Sequence, residues 1–304
     1  MPDQVIIEVR ANEWKYRDKE GLPHWNRHVP YTPEEIAEDA VACEKAGASI
    51  FHFHAREADG TESADPQLYA DVVSKCKRQT NLVLMPTNLP TTGNIPDIKT
   101  FDDRVRPIRA IAGDPATRPH LGPIDLVTCN LGFFDSGSGS LLNRGKIYQN
   151  TIDDWQAFAQ VYDTAEMKTV AFLWNVTSVG ALARLVERGT IKPPVWCELV
   201  VARDGHWYGH PATVRGLDAF LDFFPRDSGW NWTVLASWTS LFTVAHTVLE
   251  RGGNLSIGLG DYHYREGDYE PTNAQLVERA VRVAAEVGRK PAAPAETRAL
   301  LRLT

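Results

Sequence analysis

Cysteine is scarce and scattered in this sequence. Its 304 residues contain four, Cys43, Cys76, Cys129 and Cys197, with no Cys-x-x-Cys pair among them. This spacing argues against a disulfide framework, and reduced thiols in a cytoplasm are the simplest account. Cys129 and Cys197 lie in apolar, strand-like runs and read as small core residues rather than nucleophiles. Basic runs are also missing. The net charge is −7, with acidic and basic residues mixed along the chain, so no nucleic acid and no anionic membrane is expected as partner. No apolar stretch approaches the roughly 20 residues that span a bilayer. The opening Met1-Pro2-Asp3-Gln4 lacks the charged and apolar regions of a signal peptide. A cytoplasmic protein is therefore expected.

A further absence bears on fold class. A doubly wound open sheet usually carries a glycine-rich phosphate turn after its first strand, and Arg10-Ala11-Asn12-Glu13 is not one. Repeats, low-complexity segments and linkers are absent too, so residues 1–304 read as a single domain. What is present is a series of short apolar or β-branched runs: Val5–Val9, Ser49–His54, Leu82–Met85, Ile124–Cys129, Thr169–Leu173, Val195–Val201, Thr233–Ala236 and Leu255–Leu259. Continuous apolar strands separated by helices indicate a parallel sheet covered on both faces. Thr32-Pro33-Glu34-Glu35 forms a capping box that starts a helix, and Gly47 closes it. Asp65-Pro66 and Thr272-x-x-Gln275 start two more. Helical spacing recurs over 212–224 and 240–251. Eight strand–helix units in this length predict a (β/α)8 TIM barrel, with a short C-terminal helical extension near residues 295–303. Loops 15–31, holding His24, Trp25 and His28, and 132–150, rich in Gly and Ser, should lie on the catalytic face.

Ser49-Ile50-Phe51-His52-Phe53-His54-Ala55-Arg56 is the most informative stretch. Strand side chains alternate faces, so His52 and His54 share one and Phe53 takes the other. Two imidazoles that close, at a strand's C-terminal end, suit one metal ion, usually zinc. In a barrel the C-terminal strand ends converge on one pocket. Read in order, they give Glu13; His52, His54 and Arg56; Thr87 and Asn88; Thr128 and Asn130; Asn175; and Asp261. Glu198 interrupts an apolar run, and its burial requires a cation, a metal or strong donors; a structural salt bridge is the plain alternative to a metal role.

These strand ends resemble the β-keto acid cleavage enzymes, of the type that cleaves 3-keto-5-aminohexanoate. Thr32–Glu38, Ala46–Ile50 and His52–Arg56 match the family's first third, and Pro86-Thr87-Asn88, Thr128–Gly132, Gly252–Asp261 and Asn273–Glu278 follow in order. The resemblance implies a zinc-holding barrel and an acyltransferase that turns a β-keto acid and acetyl-CoA into acetoacetate and a new acyl-CoA. By this resemblance His52 and His54 are zinc ligands, Asp261 is the base and Thr87 relays a proton. Glu13 and Thr128 complete the pocket, with Asn88, Asn130 and Arg56 as further candidates for binding substrate. The family also implies a homo-oligomer.

Two positions depart from the family pattern. Ser256 and Gly260 stand where the resemblance expects an arginine that supports the base and a glutamate that ligates zinc. Glu13, Glu198 and Asp261 are candidates for the missing ligand; Glu198 is the one expected in the central pocket, ligating the metal or holding a metal-bound water, and Asp261 is expected to lack its arginine. A metal-free or non-catalytic relative that binds a keto acid or acyl-CoA stays open on this evidence. An amidohydrolase-like hydrolase also stays open, although that type carries its His-x-His on the first strand and further histidines on strands five and six.

Overall fold

The computed structural model describes residues 3–13, 25–89 and 98–303. His24 lies outside the described residues. Eight parallel strands form one sheet: β1 (Ile7–Arg10), β2 (Ile50–Phe53), β3 (Val83–Pro86), β4 (Leu121–Asp125), β5 (Lys168–Leu173), β6 (Trp196–Ala202), β7 (Asn231–Ser237) and β8 (Asn254–Ile257). Their order is β3-β2-β1-β8-β7-β6-β5-β4, a barrel joined by ladders everywhere except between β3 and β4. At that seam His120 substitutes for a ladder. Its N–H donates to the Leu84 carbonyl at 3.1 Å, and its Nδ1 accepts from the Leu84 N–H at 2.9 Å. Burial, with Arg298 and Lys77 nearby, pushes this imidazole's pKa down to about 3, so it stays neutral and can accept.

Alternation along the strands divides the core in two. Outward residues such as Ile7, Phe51, Leu84, Val234 and Leu255 pack under the helical shell, while Ile6, Ile50, Val83, Leu121, Val170 and Trp196 fill the barrel. Helices α1 (Pro33–Ala46), α2 (Pro66–Gln79) and α3 (Phe101–Ile111) follow the first strands. They are succeeded by α4 (Ile152–Thr164), α5 (Val176–Glu187), α6 (Val214–Leu221), α7 (Ala245–Glu250) and α8 (Asn273–Glu286). The predicted starts are present. Thr32 accepts from the Glu35 N–H and Glu35 answers to the Thr32 N–H, while Gly47 ends α1 at a φ of 114° that suits glycine. A ninth helix, α9 (Pro294–Leu301), is the expected extension, and its Leu301 packs with the barrel-filling residues.

Two expectations need correction. The fourth strand is Leu121–Asp125 rather than Ile124–Cys129. Gly122 and Pro123 disfavour a strand on propensity, yet both fit here for stated reasons. Tyr162 lies where a Gly122 side chain would extend, and the Pro123 carbonyl faces the β3 seam, where it accepts from Asn88 rather than from a ladder. Cys129 is consequently half-buried, in a two-residue ladder with Tyr148, and not in the core. Residues 240–251 split into a turn of 3-10 helix, Leu241–Thr243, and α7.

Candidate active site

The C-terminal strand ends open into one cavity of about 220 Å³, whose walls include Glu13, His52, His54, Thr87, Asn88 and Asp261. Thr87 and Asn88 arrive there on the end of β3, with the Thr87 hydroxyl donating to the Asn88 carbonyl at 3.0 Å. Three predicted substrate residues do not line it. Arg56 is buried behind the histidines, its guanidinium bonded to the carbonyls of Gly60 at 2.6 Å and Asn12 at 2.8 Å and set over the Tyr31 ring. Thr128 fixes the loop start by exchanging hydrogen bonds with Asn150, and Asn130 is exposed. In both cases β4 ends earlier than expected, which moves residues 128–130 off the barrel rim.

His52 and His54 face the cavity from the end of β2, their ring centroids 5.3 Å apart. With Glu13 they form the group among the described residues suited to hold a metal: their ligand atoms all lie within 4.8 Å of one another. The side chains fit zinc by their chemistry. Burial, and then the Arg10 cation, holds the His52 pKa well below the ordinary histidine range, which leaves the neutral imidazole that ligation requires. Burial also lowers that of His54. His54 Nδ1 pairs with Glu62 Oε1 at 2.7 Å, so the proton sits on Nδ1 and Nε2 keeps its lone pair. Buried His52 Nε2 has no hydrogen-bond partner among the described residues and stands 3.8 Å from Glu13 Oε1. That is too long for a hydrogen bond and close to the roughly 3.4 Å between two ligands of one tetrahedral zinc.

Glu13 occupies the space that Gly260 leaves. A Cβ built on Gly260 would lie 2.7 Å from Glu13 Cγ, so a side chain at 260 and this placement of Glu13 exclude each other. Glu13 holds a φ of 34°, in the sparsely populated left-handed region, which is the kind of local strain that functional sites retain. Glu198, the other carboxylate considered for this role, lies elsewhere. It points into the barrel below the cavity and pairs with Arg10 Nη1 at 3.7 Å, the salt-bridge outcome.

Arg10 also corrects the expectation for Asp261. Its Nε donates to Asp261 Oδ1 at 3.1 Å, supplying from β1 the cation that Ser256 cannot supply from β8. Ser256 instead donates to Glu8 Oε1 at 3.0 Å. Arg10 further pairs with Glu13, and its Nη1 lies 3.6 Å from Glu8. Burial works against its charge, but Asp261, Glu198 and Glu8 together outweigh that cost and raise its pKa. Glu8 and Glu198 are both pushed upward, chiefly by burial, and Glu198 further by the charge of Glu8. Arg10, Glu8 and Glu62 were not identified as site residues from the sequence. The available signal was in Ile7-Glu8-Val9-Arg10, where two charges of the same parity interrupt an apolar strand.

The far wall of the cavity is aromatic, with Tyr148, Phe172, Trp174, His206 and Tyr208, and it carries Asp125 at the end of β4. The hairpin of 133–135 with 140–142, part of the predicted Gly/Ser-rich loop, brings Phe133 to this rim, stacked on His206 at 4.7 Å.

Comparison with known proteins agrees with this architecture. A curated 3-keto-5-aminohexanoate cleavage enzyme of Acetoanaerobium sticklandii is 29% identical over 277 residues, spanning 91% of this chain and 92% of its own length. A 3-dehydrocarnitine:acetyl-CoA trimethylamine transferase of Rhizobium meliloti is 27% identical over 290 residues, 91% of each chain. Among solved structures, a ternary complex of ObcA with a C4-CoA adduct and oxalate shares the fold at a TM-score of 0.68. It covers 91% of this chain and 68% of that one at 15% identity. Residues 19–303 match the family described as beta-keto acid cleavage enzyme, and the chain belongs to that family.

Proposed function

We propose that this enzyme converts a β-keto acid and acetyl-CoA into acetoacetate and a new acyl-CoA, at a zinc site formed by His52, His54 and Glu13. The observation that carries the reading is the cluster of these three side chains beside Asp261 in one cavity. The relatives' names support it, since they describe a keto acid cleavage enzyme and an acetyl-CoA-dependent transferase. Bound zinc would supply Lewis acidity toward the keto acid's oxygens. The Asp261 carboxylate, held by Arg10, takes a proton from the carbon between the two carbonyls. The enolate attacks the thioester carbonyl of acetyl-CoA and expels the coenzyme A thiolate. That thiolate adds to the substrate's original keto carbon, and carbon–carbon cleavage releases acetoacetate. Thr87, which lines the cavity, relays a proton in this reading. A carboxylate ready to replace the family's ligand favours this reading over a metal-free binding protein. A cytoplasmic homo-oligomer, one domain per chain, completes the proposal; among the described residues no helix is long and apolar enough to cross a membrane.

The test is direct. The protein is incubated with acetyl-CoA and a panel of β-keto acids, and products are followed by mass spectrometry. Acetoacetate and a matching new acyl-CoA should form in equal amounts with at least one acid. Acyl-CoA formation without acetoacetate, or no product from any acid, would contradict the reaction.

A further inference from the structure

We infer that Glu8 and Glu198 hold a single proton between them, and that the one negative charge left on the pair positions Arg10 for Asp261 and Glu13. The inference deepens the role of Asp261 proposed above, and its kinetic arm rests on that reading. Glu8 on β1 and Glu198 on β6 are not neighbours in the sheet, since β8 and β7 lie between them. Both side chains point into the barrel, so their carboxyls meet across it, within hydrogen-bonding reach of each other. Neither is exposed to water. Ser256 Oγ donates to Glu8 Oε1 at 3.0 Å, which leaves Glu8 Oε2 and both oxygens of Glu198 without a donor among the described residues. Thr233, in register with Glu198 on β7, is buried but bonds neither carboxyl. Arg10 is the one cation within 4.0 Å of the pair among the described residues. Its Nη1 stands 3.6 Å from Glu8 and 3.7 Å from Glu198, beyond hydrogen-bond length.

Two adjacent carboxylates in a dry interior repel each other, and here most of their oxygens would also be left bare. One proton resolves both problems. As an acid, Glu198 donates to Glu8, whose charge Ser256 already favours, and a single anion then faces Arg10 Nη1. Burial and the charge of Glu8 hold the Glu198 carboxyl well above the ordinary range, in keeping with this placement. The charge matters because Arg10 is shared. Its Nε bonds Asp261 and its Nη2 pairs with Glu13, so Nη1 is the nitrogen left for the pair beneath. Two charges there would draw the guanidinium down from the cavity, and none would leave it held from above alone. The pair is also close enough to Asp261 for the charge of that carboxylate to raise both glutamates. By the same coupling, the charge of the pair opposes the ionised form of Asp261.

The experiment counts the proton and then its effect. Carboxylic acid C=O stretches are read by infrared difference spectroscopy at pH 8.5, as wild type minus Glu8→Gln and wild type minus Glu198→Gln. Asp39 and Asp125, also raised by burial, are common to all three proteins and cancel. Each difference should show the loss of one buried acid band, because the new amide donates the hydrogen bond and the remaining carboxyl ionises. A wild type without that band, or a single variant that keeps it, overturns the inference. The acid limb of kcat/KM against pH is then followed in the same proteins. Each single variant keeps one charge on the pair and should leave the limb where the wild type has it. Glu8→Gln/Glu198→Gln carries none and should move the limb down by about one pH unit, since no neighbouring anion opposes ionised Asp261. A stepwise fall through the single variants would mean two charges in the wild type and contradict the inference. So would a double variant that loses stability and moves no limb, the mark of a purely structural pair. A protein that shows the acid band yet makes no acetoacetate keeps the shared proton and loses the proposed reaction.

Discussion

The two halves of the barrel interior are built on opposite principles. The lower half holds Ile6, Ile50, Val83, Leu121, Val170 and Trp196, with Leu301 of α9 packed among them. The upper half places Glu8, Arg10, His52, Glu198 and Asp261 in comparable burial. Apolar packing stabilises wherever it is dense, whereas a buried ion network rarely gains more than its desolvation costs. The lower half therefore stabilises the fold, and the upper half is retained for what it holds. Its Arg10 keeps Glu13 beside the histidines and Asp261 at the cavity wall.

This contrast is tested first where the effect is largest. His52→Ala should abolish acetoacetate formation while the melting temperature moves little, since the lost ring borders a cavity. Asp261→Asn should slow turnover by at least ~100-fold, the scale of general-base catalysis. A His52→Ala enzyme with full activity would break the assignment of the upper half. Leu301→Ala is the reverse experiment. It should cost about 2–4 kcal/mol in chemical denaturation and leave kcat unchanged well below the melting temperature. Loss of kcat with unchanged stability would invert the comparison.

The smallest effect concerns the helical shell. Asp39 on α1 accepts from Asn273 Nδ2 at 2.8 Å, and burial raises its pKa from 3.8 to about 7. A folded pKa above the unfolded one means that the folded state binds the extra proton. Stability from this group is thus full below pH 3.8 and falls as pH rises to about 7. Asp39→Asn should raise the melting temperature relative to wild type at pH 8 and not at pH 4. An equal shift at both would assign the effect to packing.

How much of this was legible in the sequence follows from where each signal resides. The Thr32 capping box, Gly47 and the His52/His54 parity are local patterns, visible within a few residues. The strand series was legible apart from β4, where Gly122 and Pro123 obscured a strand that Tyr162 and Asn88 complete from a distance. The sequence favours Glu198 as the carboxylate at the histidines, because a charge inside an apolar run demands a partner, and it is Glu13 that stands there. Only the contact between residues 10 and 13 and the turn at Gly258–Gly260, which barrel closure brings together, separates them. The cation on Asp261 is hidden for the same reason: Arg10 and Asp261 are 251 residues apart in sequence and meet when β1 pairs with β8. Asp125 was missed because its strand was read too late.

The central claim, that Glu13 takes the place of the glutamate that Gly260 lacks, is tested most directly by zinc content. Wild type, Glu13→Gln and Glu198→Gln are loaded with zinc, dialysed against a weak chelator and analysed by plasma mass spectrometry. The wild type and Glu198→Gln should retain about one zinc per chain and Glu13→Gln should lose most of it, by a ligand set of two histidines alone. Zinc held equally by Glu13→Gln and the wild type, or lost from Glu198→Gln instead, would contradict the account.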